Sequence, residues 1–201
     1  MSDKTYTDAH DGFSRRSFLK GSGAAAAATA VVSSAAEAVA QDDGPKTVNK
    51  ALVKLNVNGK DHEVTVEGRT TLLEVLRYQL DLTGAKPVSL DGSSGASTVL
   101  VDGKPVMAST TLALAVRNKK IQTVESLGGD KPDEVCTAFV THDAEQCGFC
   151  TPGFVVAVRA FLDKNPKASE EEIRAGLNGN ICRCGTYANV IDAALSIAKG
   201  G

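Results

Sequence analysis

The chain has 201 residues, with 22 Lys and Arg against 24 Asp and Glu, a formal net charge of −2, no Trp, three Tyr and six Phe. So even a charge balance excludes electrostatic capture of nucleic acid as the working principle, and the shortage of aromatics leaves the core to Val, Leu, Ala and Ile. Five cysteines remain as the feature that points to chemistry.

At the N-terminus, Ser14-Arg15-Arg16-Ser17-Phe18-Leu19-Lys20 is a twin-arginine export motif, followed by an uncharged, Ala-rich run from Gly21 to Ala36. That run is 16 residues long, short of the roughly 20 needed to span a bilayer. It leads to Ala38-Val39-Ala40, an A-x-A site, so residues 1–40 are read as a signal peptide cleaved after Ala40 and the chain as periplasmic or otherwise exported. The GSGAAA stretch within the run imitates a dinucleotide-binding motif but follows no strand. Cleavage takes 4 basic and 4 acidic side chains from 22 and 24 and leaves 18 and 20. No segment of the mature chain is expected to span or coat a membrane, and no nucleic-acid partner is expected.

Residues 41–49 read as a polar leader. Alternation at Val53, Leu55 and Val57, then at His62, Val64 and Val66, with Asn58-Gly59 between, predicts a hairpin. Thr71-x-x-Glu74 is a capping box opening a helix with Leu72, Leu73, Leu76 and Leu80 on its apolar side. A Gly/Ser-rich loop follows, then a strand at Thr98–Val101, a turn at Asp102-Gly103 and a strand around Ile121 to Val124. After Gly128-Gly129 the composition turns to helix formers, with helices expected at 133–142, 153–163, 169–177 and 187–198, the third opened by the capping box Ser169-x-x-Glu172. The resulting expectation is an α+β chain of two small domains, 50–126 built on a sheet and 127–201 all helical.

Four cysteines fall in two tight pairs set in glycine, Cys147/Cys150 in QCGFCTPG and Cys182/Cys184 in NICRCGTY. Glycine lets each loop turn sharply and keeps side chains away from the ligands, so each pair can aim two thiolates at one metal site. Gly148, Gly153, Gly179 and Gly185 are read in that role. Soft thiolates select zinc, copper(I) or an iron-sulfur cluster. Both pairs lie in loops entering helices, whose free N–H groups favour charge on sulfur. An exported chain with four cysteines also admits two disulfides. Cys136, alone in the apolar stretch Val135–Val140, is read as a small buried hydrophobe without a ligand role. His142 is read as a surface histidine at a helix end, His62 as a hairpin residue, and Arg183 as either an offset to cluster charge, an interface residue or a solvated side chain.

The strings QCGFCTPG and NxNICRCGTY, and the chain from about Lys50 onward, resemble the iron-sulfur subunit of the molybdenum hydroxylases, the xanthine dehydrogenase and aldehyde oxidoreductase family. The resemblance implies a beta-grasp, ferredoxin-like domain followed by a four-helix domain, with a [2Fe-2S] cluster in each. In the family the first cluster sits on a loop of the form GCxxGxCGAC with a fourth cysteine after the next hairpin. The matching positions here are Ser89, Ser94, Ser97 and Ser109. Four protonated hydroxyls do not hold an iron-sulfur cluster, so one cluster is expected, on Cys147, Cys150, Cys182 and Cys184. The resemblance further implies a large molybdopterin-binding partner subunit, with Gln146 and Cys184 against the pterin. In the family electrons are relayed through the first-domain cluster to flavin or another acceptor; with that relay missing, they are expected to leave the single cluster directly for a closely docked acceptor such as a cytochrome, or to pass to a sister subunit that supplies its own relay. The alternatives are a zinc- or disulfide-stabilised interaction module and a cluster-bearing scaffold off the electron path.

Overall fold

The computed structural model describes residues 50–200; the arginine pair Arg15 and Arg16, the expected cleavage site and the leader lie outside the described residues. The chain opens with the antiparallel hairpin β1 (Ala51–Val57) and β2 (Lys60–Val66), with Val53 opposite Val64 and Leu55 opposite His62. Its turn, Asn58-Gly59, has φ of 52° and 77°, the left-handed pair that the right-twisted strands demand. The helix α1 (Leu72–Tyr78) crosses one face of the sheet. The Thr71 Oγ1 accepts the Glu74 N–H at 3.2 Å and the Glu74 carboxylate accepts the Thr71 N–H at 2.7 Å, a cap of about 1 kcal/mol.

Two short strands, β3 (Thr98–Val101) and β4 (Lys104–Met107), follow around the Asp102-Gly103 turn, and β5 (Lys120–Gln122) completes a five-stranded sheet in the order β2-β1-β5-β3-β4. The pair β1/β5 is parallel and the other neighbours are antiparallel. Four helices come next: α2 (Glu134–Thr141), α3 (Thr151–Leu162), α4 (Glu170–Gly176) and α5 (Tyr187–Gly200). Asp133 caps α2, and Ser169 with Glu172 caps α4. Among the described residues no helix is long and apolar enough to cross a membrane.

Some boundaries differ from the expectation. The helix α1 stops at Tyr78, so Leu80 packs on the core from beyond the helix end. Strand β4 escaped the pattern because KPVM is short and half exposed, with a Pro inside it. The last strand ends at Gln122 because Thr123 leaves the ladder for Asn58: Thr123 N donates to Asn58 Oδ1 and Asn58 Nδ2 to Thr123 Oγ1, both at 2.9 Å. A 3-10 turn, Val124–Leu127, follows, and another spans Ala113–Val116.

One apolar core lies between the sheet and α1, around Leu55, Val57, Leu72, Leu76, Val99 and Ile121. A second fills the helices, around Val135, Phe154, Val158, Ile173 and Ile191. They are joined at β3, whose Val99 and Val101 face the first core while Leu100, from the opposite face, meets Val156 and Ala160 of α3. That joint brings the start of α3, and the loop before it, beside the serine-rich segment.

Candidate metal centre

Cys150 is the N-cap of α3, with Pro152 in the first turn, and Cys147 precedes it across Gly148, whose φ is 77°. Cys182 and Cys184 come from the loop between α4 and α5. Cys182 is buried, Cys150 and Cys184 are half-buried and Cys147 is exposed, and all four thiols are free. The sulfurs interact across the loops. Cys147 and Cys184 perturb one another's titration, as do Cys150 and Cys182.

The four thiols are not equivalent. Burial, followed by the bond to Cys182, pushes Cys150 up to about 12. Burial also opposes charge on Cys182, but donation from Thr186, at 3.4 Å from the sulfur, and from Cys150 brings that thiol below its ordinary value. The Phe149 N–H, then the Cys184 thiol, lowers Cys147, and the neighbouring Cys147 thiol raises Cys184. Each cross-loop pair therefore holds one acidic and one proton-retaining thiol. The expectation that both helix starts favour thiolate meets a counter-effect at Cys150, where desolvation outweighs the helix terminus.

Among the described residues no three His, Cys, Asp or Glu side chains gather round one point as ligands of a single ion. By donor chemistry alone, four thiols from two loops suit an iron-sulfur cluster or a zinc ion.

The ligand loop is tied down by residues the sequence reading passed over. The Tyr187 hydroxyl accepts the Cys182 N–H at 2.9 Å and donates to the Asn180 carbonyl at 3.1 Å. Its ring meets Phe154 edge-on, with centroids 5.7 Å apart. Buried Asn180 donates through Nδ2 to the Gly95 carbonyl at 3.0 Å. The only local signal for Asn180 is its place between glycine and the second cysteine pair.

The four serines form two hydroxyl pairs, Ser89 with Ser94 at 2.7 Å and Ser97 with Ser109 at 3.0 Å. Ser97 and Ser109 are buried and satisfied by each other. Of the glycines assigned to loop closure, Gly153 has a steric reason, since a Cβ there would overlap the Gly95 carbonyl, whereas Gly185 faces open space. Gln146 and Arg183 are exposed. Val88, Phe149, Ile181 and Arg183 line a 170 Å³ apolar hollow beside Cys147, Cys150 and Cys182. His142 ends α2 and its carbonyl accepts from Asn189 at 2.9 Å. Cys136 packs against the helical core and donates to the Leu127 carbonyl at 3.4 Å. His62 stays in the hairpin, opposite Leu55.

Residues 123–195 match the [2Fe-2S] binding domain family, and residues 12–32 match the twin-arginine translocation pathway signal sequence. The chain is 39% identical, over 95% of its length and 90% of the other, to the aldehyde oxidoreductase iron-sulfur-binding subunit PaoA of Escherichia coli (strain K12). It is 36% identical to a probable xanthine dehydrogenase subunit of Bacillus subtilis (strain 168), over 79% of this chain and 92% of that one. Among solved structures, quinoline 2-oxidoreductase from Pseudomonas putida 86 superposes with a TM-score of 0.72 at 37% identity, covering 76% of this chain and 96% of that one.

Proposed function

The chain belongs to the iron-sulfur subunits of the xanthine dehydrogenase and aldehyde oxidoreductase family, and from that premise we propose that it is the exported electron-transfer subunit of a molybdopterin-dependent hydroxylase. One observation carries the proposal: four free thiols on two loops, each loop opening into a helix, lie within the stretch that matches the [2Fe-2S] binding family.

Cys147, Cys150, Cys182 and Cys184 hold the single [2Fe-2S] cluster. When bound, the cluster supplies one-electron redox chemistry, taking electrons from the molybdenum centre of a large partner subunit and passing them to an acceptor. The protein's part is to fix the sulfurs and tune them. The Thr186 hydroxyl lies 3.4 Å from the Cys182 sulfur, and such donors, together with burial, set the reduction potential. Exposed Gln146 and half-buried Cys184 lie at the family's pterin-facing positions and are assigned that contact. The strand order, with its parallel β1/β5 pair and crossing α1, supports a beta-grasp domain over 50–126, and α2 to α5 supply the helical domain over 127–201.

The twin-arginine signal directs export, with cleavage assigned after Ala40. With serine at the first-cluster positions, a cluster held by Cys147, Cys150, Cys182 and Cys184 would pass its electrons directly to a cytochrome or to a sister subunit. A zinc or disulfide module is less well supported, because all four cysteines lie in the stretch that matches the [2Fe-2S] binding family.

The test is turnover of the purified complex with an artificial one-electron acceptor. A Cys182→Ser variant that assembles with the large subunit is expected to lose turnover while its molybdenum centre is still reduced by substrate. Turnover at the unmodified rate would mean that the chain is a scaffold off the electron path.

A further inference from the structure

The serine loop remains folded against the cysteine site although it holds no ligand set of its own. Resting on the single-cluster reading above, we propose that the four serines form a metal-free latch that positions the ligands of the remaining cluster. In the latch, hydroxyl pairs do the structural work of iron. Ser89 Oγ and Ser94 Oγ, 2.7 Å apart, close one end of the loop, where Ser89 Oγ also accepts the Ser94 N–H at 2.9 Å. Ser97 Oγ and Ser109 Oγ, 3.0 Å apart and buried, fasten the other end to the segment after β4.

The closed loop turns its carbonyls toward the second cysteine pair. The Ser94 carbonyl accepts the N–H of Ile181 at 2.9 Å, one residue before Cys182. The Gly95 carbonyl accepts Asn180 Nδ2 at 3.0 Å, two residues before it. The same Gly95 carbonyl lies where a Cβ on Gly153 would stand, three residues after Cys150. One loop thus touches both ligand-bearing segments, and its shape fixes their separation. Hydroxyl bonds are weaker than iron-thiolate bonds, but the two hydroxyl pairs together, one of them shielded from water, hold a short glycine-rich loop without metal.

The test uses the full chain loaded with its cluster. Ser89→Ala/Ser94→Ala and Asn180→Ala are compared with the unmodified chain, and with a variant in which Ser89, Ser94, Ser97 and Ser109 are all replaced by Cys. Loss of outer-shell support typically costs 10- to 100-fold in metal affinity, so both latch-breaking variants are expected to release iron to a chelator about 10- to 100-fold faster. They are also expected to shift the midpoint potential and EPR g values, with Asn180→Ala melting below the parent as well because the buried Gly95 carbonyl loses its donor. The four-cysteine variant is expected to keep the parent cluster's signal and to gain a second, because the latch preserves ligand spacing. Unchanged potential, spectrum and iron release in the latch-breaking variants would overturn the proposal, as would a four-cysteine variant that gains no iron. Should the double alanine variant fail to fold, Asn180→Ala and the four-cysteine variant still decide. An unmodified chain lacking any [2Fe-2S] signal would instead remove the function on which the latch rests.

Discussion

Gly95→Ala is the perturbation in which fold and metal centre are most directly coupled. Gly95 is buried, with φ of 69°, and a Cβ there would overlap the Gly179 carbonyl and stand 2.7 Å from Asn180 Nδ2. Gly103, in the Asp102-Gly103 turn, has a similar φ of 74° but nothing within 4 Å of a built Cβ. Alanine at either site bears the left-handed backbone cost of about 1–2 kcal/mol. At Gly95 it must also displace Asn180 and strip the buried Gly95 carbonyl of its partner, a further 1–3 kcal/mol or so. Gly103→Ala is therefore expected to lose about 1–2 kcal/mol and Gly95→Ala about 2–5 kcal/mol. Urea unfolding of the cluster-loaded chain followed by circular dichroism measures both. Iron release to a chelator, read in parallel, is expected to accelerate in Gly95→Ala alone. Equal stability losses in the two variants, or unchanged iron release in Gly95→Ala, would refute the reasoning.

Three further outcomes follow from the same geometry. Phe154, fully buried and set edge-on against Tyr187, is expected to cost about 3–5 kcal/mol on replacement by Ala, measured by urea midpoint. Tyr187→Phe leaves the ring packing but removes the acceptor of the Cys182 N–H and the donor to the Asn180 carbonyl; about 1–3 kcal/mol of stability and a shifted midpoint potential are expected, and an unshifted potential would remove Tyr187 from the support of the site. In the metal-free chain, Cys150 is raised in the folded state to about 12, above the roughly 8.5 of an unfolded thiol. Its contribution is therefore fully present below pH of about 8.5 and lost as pH climbs toward the folded value, so stability should fall between pH 9 and 11 or so, and less steeply in Cys150→Ala. Parallel pH profiles for the two chains would contradict that assignment.

Much of the fold was legible because its signals are local. Asn58-Gly59 between alternating strands specifies a tight hairpin, and Thr71 with Glu74, or Ser169 with Glu172, specifies a helix start within four residues. Strand β4 was not legible, since a four-residue edge segment containing Pro105 lacks both length and alternation. The end of β5 was hidden for another reason: Thr123 is drawn away by Asn58, 65 residues earlier. The metal centre divides in the same way. Spacing alone marked the cysteines as two pairs along the chain, whereas their unequal exposure, Cys182 buried and Cys147 exposed, is set by the packing around the two loops. The four serines were legible from their positions in the chain, but Asn180 reaching Gly95 across 85 residues belongs to tertiary structure and left no pattern in either motif.

The most direct test of the account is iron and acid-labile sulfide per chain on anaerobically purified protein, with an EPR spectrum after dithionite reduction. Two irons, two sulfides and one [2Fe-2S] signal are predicted, lost on replacing any of Cys147, Cys150, Cys182 or Cys184. Four irons with two signals would contradict the metal-free serine loop, and zinc in place of iron would contradict the electron-transfer function.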